Sequence, residues 1–276
     1  MKLETYAKNT WCPGCSNFGI FTALKGAVSS LIEDEMSKEN IVIVSGIGCS
    51  SKIIDYLNLN SFSSLHGRPI ISAEGIKLGN PNLKLIVCAG DGGIYNEGIA
   101  HLIHAVKRNS DITVLVHNNR TFALTTGQFT ATSPEGFKGK STPKGSMEQP
   151  INPLKLVLAS NGTFIARGYA FKPNHLKDLI IKAVKHPGFS FVDILQPCIS
   201  FFDTTSFYNQ RVYEMEEKDL GSPKEALRKI EEWDYNESND SKKIPIGMFY
   251  KIQRPTYEER LLEGLIPLKR EREIDE

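Results

Sequence analysis

Charge of one sign is what this sequence most clearly lacks. It carries 33 Lys and Arg against 32 Asp and Glu over 276 residues, a net charge of +1. No global field therefore draws it onto nucleic acid or an anionic membrane. The most basic run, Lys269-Arg270-Glu271-Arg272, is interrupted by acid and reads as a solvated tail. Long apolar runs are missing too. The stretch from Leu83 to Ala89 is strand length, far short of the roughly 20 residues that span a bilayer. Met1 to Thr10 has no apolar core of a secretory signal. These absences predict a cytoplasmic protein with neither a membrane nor a nucleic acid among its partners. Internal repeats and low-complexity tracts are also lacking. Cysteine is scarce, at five. Cytosolic thiols seldom form structural disulfides, so cysteines at motif spacing point to metal binding or redox work.

What is present is an ordinary globular composition, 40% apolar with 22 Gly, which excludes disorder and collagen. Phe18, Phe21, Leu24, Val28, Leu31 and Ile32 return at helical steps within Asn17–Glu35. The β-branched runs Ile41–Val44, Leu85–Ala89 and Ile112–Val116 read as buried parallel strands. Ile99–Lys107 and Pro173–His186 are amphipathic helices, and Phe164–Ala170 and Phe189–Leu195 are further strands. Alternating strands and helices predict an α/β fold, a parallel sheet with helices on both faces. The main domain should span residues 1–200. Residues 201–276, irregular and charged with one short helix at Pro223–Trp233, should form an extension packed on the domain or on a partner. Thr121–Pro150 has no hydrophobic period, and a loop of that length is usually functional or disordered.

In open α/β sheets, ligands bind beyond the carboxyl ends of the strands. Gly46-Ile47-Gly48-Cys49, Gly90-Asp91-Gly92-Gly93, Asn118-Asn119 and Pro197-Cys198 all fall at such ends. Gly90-Asp91-Gly92 lacks the dinucleotide spacing. Its glycines admit a phosphate to the backbone, and its Asp offers the hard oxygen that Mg²⁺ prefers. Asn119 follows one helix and one strand later, on the adjacent loop. That pairing resembles the signature of thiamin-diphosphate enzymes, though a plain Gly-rich turn and a capping Asn would look the same.

Cys12 and Cys15 could be a redox pair, but no strand precedes them as the thioredoxin motif requires. Cys49 and Cys198 supply two more loop thiols, and four thiolates suit Zn²⁺ or a [4Fe–4S] cluster equally by spacing. Cys88, inside an apolar strand, reads as core. His101 and His104 share a helix face without a third ligand and read as packing. Lys52 and His66 are the polar candidates for donating to a phosphate or a substrate carboxylate. Phe201-Phe202 could shield a cluster from water.

Taken in order, Trp11-Cys12-Pro13-Gly14-Cys15 with Asn17-Phe18-Gly19, Ser45-Gly46-Ile47-Gly48-Cys49-Ser50, Leu65-His66-Gly67-Arg68, Gly75-Ile76-Lys77, Gly90-Asp91-Gly92, Leu124-Thr125 with Gly127-Gln128, and Leu195-Gln196-Pro197-Cys198 resemble the β subunit of 2-oxoacid:ferredoxin oxidoreductases, in its two-subunit archaeal type. Ile244–Gly247 and Pro255–Arg260 extend the likeness into the tail. The resemblance implies the pyrophosphate-side half of a thiamin-diphosphate fold. It implies a [4Fe–4S] cluster on Cys12, Cys15, Cys49 and Cys198, and Mg²⁺ on Asp91, Asn119 and the Thr121 carbonyl. Cofactor contacts would come from Ile47, Gly48, Cys49, His66 and Gly67 on one side. Gly90, Asp91, Gly92, Asn119, Thr121, Leu124 and Thr125 would complete them. Lys52 and His66 would be the catalytic candidates.

The activity so implied is CoA-dependent oxidative decarboxylation of a 2-oxoacid, with electrons passing through the cluster to ferredoxin. An α (or α and γ) subunit would supply the pyrimidine side and a catalytic Glu, so this chain alone should be inactive. The alternatives are another thiamin decarboxylase or synthase half, and a non-catalytic iron–sulfur or zinc scaffold. Three departures stand out: Gly93 where the family often has Asp, the segment Ile94-Tyr95-Asn96-Glu97-Gly98, and Thr126 where Lys is common. The last predicts a preference for short, pyruvate-like oxoacids.

Overall fold

A computed structural model describes residues 3–235 and 242–264. The chain opens with helix α1 (Asn17–Glu33), strand β1 (Ile41–Ser45), a single turn α2 (Ile53–Tyr56), β2 (Asn60–Ser63), α3 (Pro69–Gly79), β3 (Lys84–Gly90), α4 (Ile99–Arg108) and β4 (Ile112–Asn118). It continues with α5 (Pro153–Ala159), β5 (Phe164–Tyr169), α6 (Pro173–Lys185), β6 (Ser190–Leu195), α7 (Thr205–Arg211), β7 (Val212–Glu214), α8 (Pro223–Ile230), β8 (Ile244–Lys251) and α9 (Tyr257–Gly264). The 8 strands form one sheet in the order β2-β1-β3-β4-β6-β5-β8-β7. From β2 to β5 every pairing is parallel.

The β-branched runs are buried on both faces, as strands covered by two helix layers must be. Along β1, Ile41 and Ile43 join the core beneath α1 and α6, while Val42 and Val44 join the core beneath α3, α4, α5 and α8. The same alternation sends Ile86 and Cys88 one way and Leu85, Val87 and Ala89 the other. Cys88 is therefore core, as its position in the strand predicts.

The C-terminal part departs from the sequence reading. It is not merely irregular, because β8 lies antiparallel to β5, with a register shift between Ile165 and Ala166, and β7 pairs with β8. The sheet is thus mixed rather than wholly parallel. Pro245 and Gly247 disguise β8, since proline removes a ladder donor and glycine weakens a strand. A third apolar cluster, Tyr169, Leu195, Tyr208, Trp233, Tyr235, Ile244 and Ile246, fastens this part to the domain. Between β4 and α5 the described chain has no regular element, only isolated bridges at Phe122–Gln128 and Gly139–Thr142.

Candidate active site

Four loops meet at the carboxyl ends of β1, β3, β4 and β6. The turn after β1 passes through Gly48 at φ +111°, a backbone conformation that favours glycine, and a Cβ there would meet nothing within 4 Å. The backbone is thus bared to an open groove. Next to it the Ser50 and Ser51 hydroxyls are buried without a partner. After β3, Gly92 packs so tightly that a Cβ would stand 2.2 Å from the Phe122 ring. Gly92–Glu97 then form a wide π-helical turn, a feature that recurs at functional sites.

Asp91 is 1% exposed. Its Oδ2 accepts hydrogen bonds from Thr130 Oγ1 (2.5 Å) and Thr132 Oγ1 (3.0 Å). Burial pushes its pKa up to about 6, and it forms no ion pair among the described residues. After β4, Asn119 Oδ1 accepts from the Thr121 amide (3.1 Å). Arg120 between them takes φ +60° and is locked by donating to the carbonyls of Thr132 (2.7 Å) and Tyr235 (2.6 Å). Such a strained residue persists only where its surroundings hold it. Here they hold Asn119 and Thr121 at the groove.

The groove is lined by Ile47, Gly48, Cys49, His66, Gly90, Asp91, Gly92, Asn119, Thr121, Leu124 and Thr125, together with Ser50, Phe122 and His117. Every cofactor contact named from the sequence lies on it except Gly67. That residue, at φ +72°, packs instead against Glu97. His66 is on the groove wall, with Nδ1 3.3 Å from Glu97 Oε2.

The cysteines gather next door. Cys12, Cys15, Cys49 and Cys198 line one cavity with Trp11, Asn17, Lys52, Gln196 and Phe201, and Cys49 lines the groove as well. Trp11 Nε1 donates to the Cys49 carbonyl (2.7 Å), and Ser16 Oγ donates to the Pro197 carbonyl (2.6 Å). These bonds tie the N-terminal pair to the loops carrying the other two thiols. All five cysteines are free. Burial raises the Cys15 and Cys49 thiols, and their neighbouring cysteines add to the rise, while Lys52 opposes it at Cys49. Among the described residues, no group of three or more His, Cys, Asp and Glu is gathered tightly enough to hold a metal ion as it stands. Lys52 stands in this cavity, donating to Thr10 Oγ1 (2.9 Å), and is not on the groove.

Lys77, from Gly75-Ile76-Lys77, and His101 line neither the groove nor the cysteine cavity. Lys77 is 2% exposed and bonds Asp111 (2.6 Å) and the Leu83 carbonyl (2.8 Å). His101 faces Arg68 (2.7 Å) rather than a third metal ligand.

Sequence reasoning missed four features. Thr130 and Thr132 carry no motif. Asp193 is buried under Tyr95 (2.7 Å), Asn118 (3.0 Å) and Tyr235 hydroxyl or amide donors. An acid in an otherwise apolar strand was its available signal. His117 is fully buried, which depresses its pKa to about 3, and its Nδ1 meets Asn17 Oδ1 at 2.8 Å.

The donors suit the groups that the sequence implies. An unpaired buried carboxylate among oxygen donors fits a hard divalent cation. The bared Gly48 backbone and the orphan Ser50 hydroxyl fit a phosphate. Four thiols around one cavity fit a thiolate-held metal centre.

Hard-oxygen, glycine and thiol loops thus lie together at the carboxyl edge of the parallel strands, with the groove beside the thiol cavity. Residues 46–194 match the thiamine pyrophosphate enzyme, C-terminal TPP binding domain, and residues 198–263 match the C-terminal part of the pyruvate ferredoxin oxidoreductase β-subunit family. The chain is 41% identical over 275 residues to 2-oxoacid:ferredoxin oxidoreductase 1, subunit beta, of Aeropyrum pernix, covering 94% of this chain and 83% of that one. Against the 2-oxoacid:ferredoxin oxidoreductase subunit beta of Saccharolobus solfataricus it is 43% identical over 267 residues, covering 92% and 86%. The structure of the 2-oxoglutarate:ferredoxin oxidoreductase from Magnetococcus marinus, with 2-oxoglutarate, coenzyme A and succinyl-CoA bound, superposes with a TM-score of 0.88. Identity is 31%, over 95% of this chain and 88% of that one. This chain belongs to the β-subunit family of 2-oxoacid:ferredoxin oxidoreductases.

Proposed function

We propose that the chain is the thiamin-diphosphate- and cluster-binding β subunit of a CoA-dependent 2-oxoacid:ferredoxin oxidoreductase. The observation that carries this is Cys49, which lines both the groove and the four-cysteine cavity. A cofactor in the groove and a cluster in the cavity would be wall-to-wall neighbours, which suits electron transfer between them.

Thiamin diphosphate, when bound, supplies the electron sink for decarboxylation, and a [4Fe–4S] cluster accepts electrons singly. The chain's own residues do the positioning. Asp91, Asn119 and the Thr121 carbonyl would hold Mg²⁺, with Thr130 and Thr132 fixing Asp91. Gly48, Gly90, Gly92 and Ser50 would cradle the diphosphate. His66, braced by Glu97, stands on the groove wall where a substrate carboxylate could enter. Lys52, beside the thiols, serves cluster electrostatics rather than the substrate. The Phe201 ring and Trp11 screen the cavity from water.

In this reading the groove is completed by the catalytic Glu of an α (or α and γ) subunit, ferredoxin takes the electrons, and the complex is cytoplasmic. No helix among the described residues is long and apolar enough to cross a membrane. With Thr126 in place of a lysine, the favoured substrate is pyruvate-like.

The test is co-expression with the partner subunit under anaerobic conditions. Iron, thiamin diphosphate and visible absorbance are measured, then CoA-dependent ferredoxin reduction with pyruvate, 2-oxobutyrate and 2-oxoglutarate. Zinc without iron, or no oxoacid oxidation by a fully loaded complex, overturns the reading.

A further inference from the structure

Two buried residues, each with one unpartnered polar atom, line the two halves of the site, and one hydrogen bond joins the residues. Asn17 lines the cysteine cavity. It stands two residues from Cys15 at the start of α1, and its side-chain Nδ2 is buried with no partner in the protein. Its Oδ1 meets His117 Nδ1 at 2.8 Å. His117 lines the cofactor groove, and its Nε2 is likewise buried and unpartnered. Burying a polar group without a partner is costly, so each of these atoms calls for one.

The geometry points to Asn17 and His117 as a positioning pair that couples the cluster side of the site to the cofactor side. This rests on the proposed function. Thiolates and cluster sulfides are hydrogen-bond acceptors only, so they demand a donor. That requirement turns the Asn17 amide nitrogen toward the cavity and leaves its carbonyl oxygen for His117. The oxygen can only accept, so His117 carries its proton on Nδ1. Nε2 is then a bare lone pair that accepts from an N–H or O–H of whatever fills the groove. The amide orientation on one side thus fixes the tautomer on the other. No residue of the pair carries out chemistry. Asn17 acts through the cluster's hydrogen bonding, one of the levers that set a cluster's potential, and His117 acts by orienting the groove's occupant.

The experiment uses the assembled complex. The cluster signal that Cys49→Ala removes is titrated in the unmodified complex and in Asn17→Leu, His117→Phe and His117→Gln. Dissociation of thiamin diphosphate with Mg²⁺ is followed by equilibrium dialysis. Asn17→Leu removes a donor to an anionic acceptor, so its potential should fall by about tenfold in the reduction equilibrium, about 59 mV for a one-electron couple. His117→Phe touches no cysteine, yet it should lower the same potential in part, because the Asn17 amide loses its anchor. It should also weaken cofactor retention by roughly tenfold. His117→Gln, which keeps an acceptor, should recover much of the retention.

A potential unchanged in both Asn17→Leu and His117→Phe, with iron content intact, overturns the inference. If Asn17→Leu does not assemble, His117→Phe reads the same potential, and no shift there has the same force. An unmodified complex without a cluster would instead defeat the underlying functional reading, so the two failures are distinguishable.

Discussion

Lys77 closes the Gly75-Ile76-Lys77 motif, and its surroundings predict an effect on stability and not on turnover. The side chain is 2% exposed and lies between Asp111 Oδ2 (2.6 Å) and the Leu83 carbonyl (2.8 Å). It pins α3 to the loops before β3 and β4. In Lys77→Met the methylenes are largely replaced, but two charge-assisted bonds disappear. Breaking a buried pair costs about 3–5 kcal/mol. Asp111 keeps Lys84 at 3.5 Å and the Gly188 amide at 3.1 Å, so the lower end of that range applies, about 3 kcal/mol. For a chain of this size that means a fall of about 6–12 °C in Tm.

The pH dependence follows. Burial works to raise the Asp111 pKa, but Lys84 and Lys77 outweigh it and hold the group below its ordinary value of 3.8. A depressed folded pKa contributes stability above the unfolded pKa, and that stability is lost as pH falls through the folded value. The penalty of Lys77→Met should therefore be full at pH 7 and shrink below about pH 3.8. The assay is thermal unfolding of the complex on both sides of that value, with steady-state kinetics on the folded fraction. A Tm within about 1–2 °C of the unmodified complex, roughly 0.5 kcal/mol, refutes the reasoning. So does a loss of kcat at unchanged Tm.

Cys12→Ala, Cys15→Ala, Cys49→Ala and Cys198→Ala should each deplete iron and visible absorbance, whereas Cys88→Ala, in the core under α1, should leave both in place. Metal analysis of anaerobically prepared protein checks this. Asp91→Ala should abolish retention of thiamin diphosphate while iron stays bound, as read by cofactor release on heating. Retention by Asp91→Ala would make the glycine-rich turn structural. Thr126→Lys should raise kcat/KM for 2-oxoglutarate relative to pyruvate. Thr126 is exposed at φ +80°, so the gain in an exposed ion pair is about 0.2–1 kcal/mol, roughly one-and-a-half- to fivefold. Better use of 2-oxoglutarate than of pyruvate by the unmodified complex would refute the assigned role of Thr126.

The legible parts of the chain were those whose pattern is local. Ile41–Val44, Leu85–Ala89 and Ile112–Val116 announced themselves as strands because both of their faces are buried, and α1, α4 and α6 did so because one stripe is. The loops after β1, β3 and β4 were legible for the same reason, since glycines and hard ligands at strand ends need no knowledge of distant partners. What stayed hidden depends on contacts far along the chain. β8 lies in a stretch that reads as irregular until β5 is there to pair with it. Thr130 and Thr132 are ordinary hydroxyls until the loop returns them to Asp91. Asn17 and His117 belong to a helix and a strand 100 residues apart, and neither position is unusual alone. Lys77 lies in a motif that its sequence neighbours do not explain, and only the fold shows it bonded to Asp111 and the Leu83 carbonyl.

Cys49 explains why both cavities depend on the same few residues of chain. It follows β1 directly, and β1 is flanked by β2 and β3, so its loop must lie beside the Gly90-Asp91-Gly92 turn. The N-terminal thiols arrive from the other direction. Trp11 closes on the Cys49 carbonyl and packs edge-on against Phe18 (5.4 Å) and Tyr56 (4.9 Å). Tyr56 Oη in turn accepts the Thr10 amide (2.9 Å). Parallel topology thus fixes one wall of the shared boundary, and an aromatic cluster fixes the other. A sheet that slipped by one residue at β1 would exchange the layers of Ile41–Ser45 and displace the loop carrying Cys49 from its place beside the Gly90-Asp91-Gly92 turn. The same register that buries Ile41, Ile43, Val42 and Val44 therefore holds the two halves of the site together.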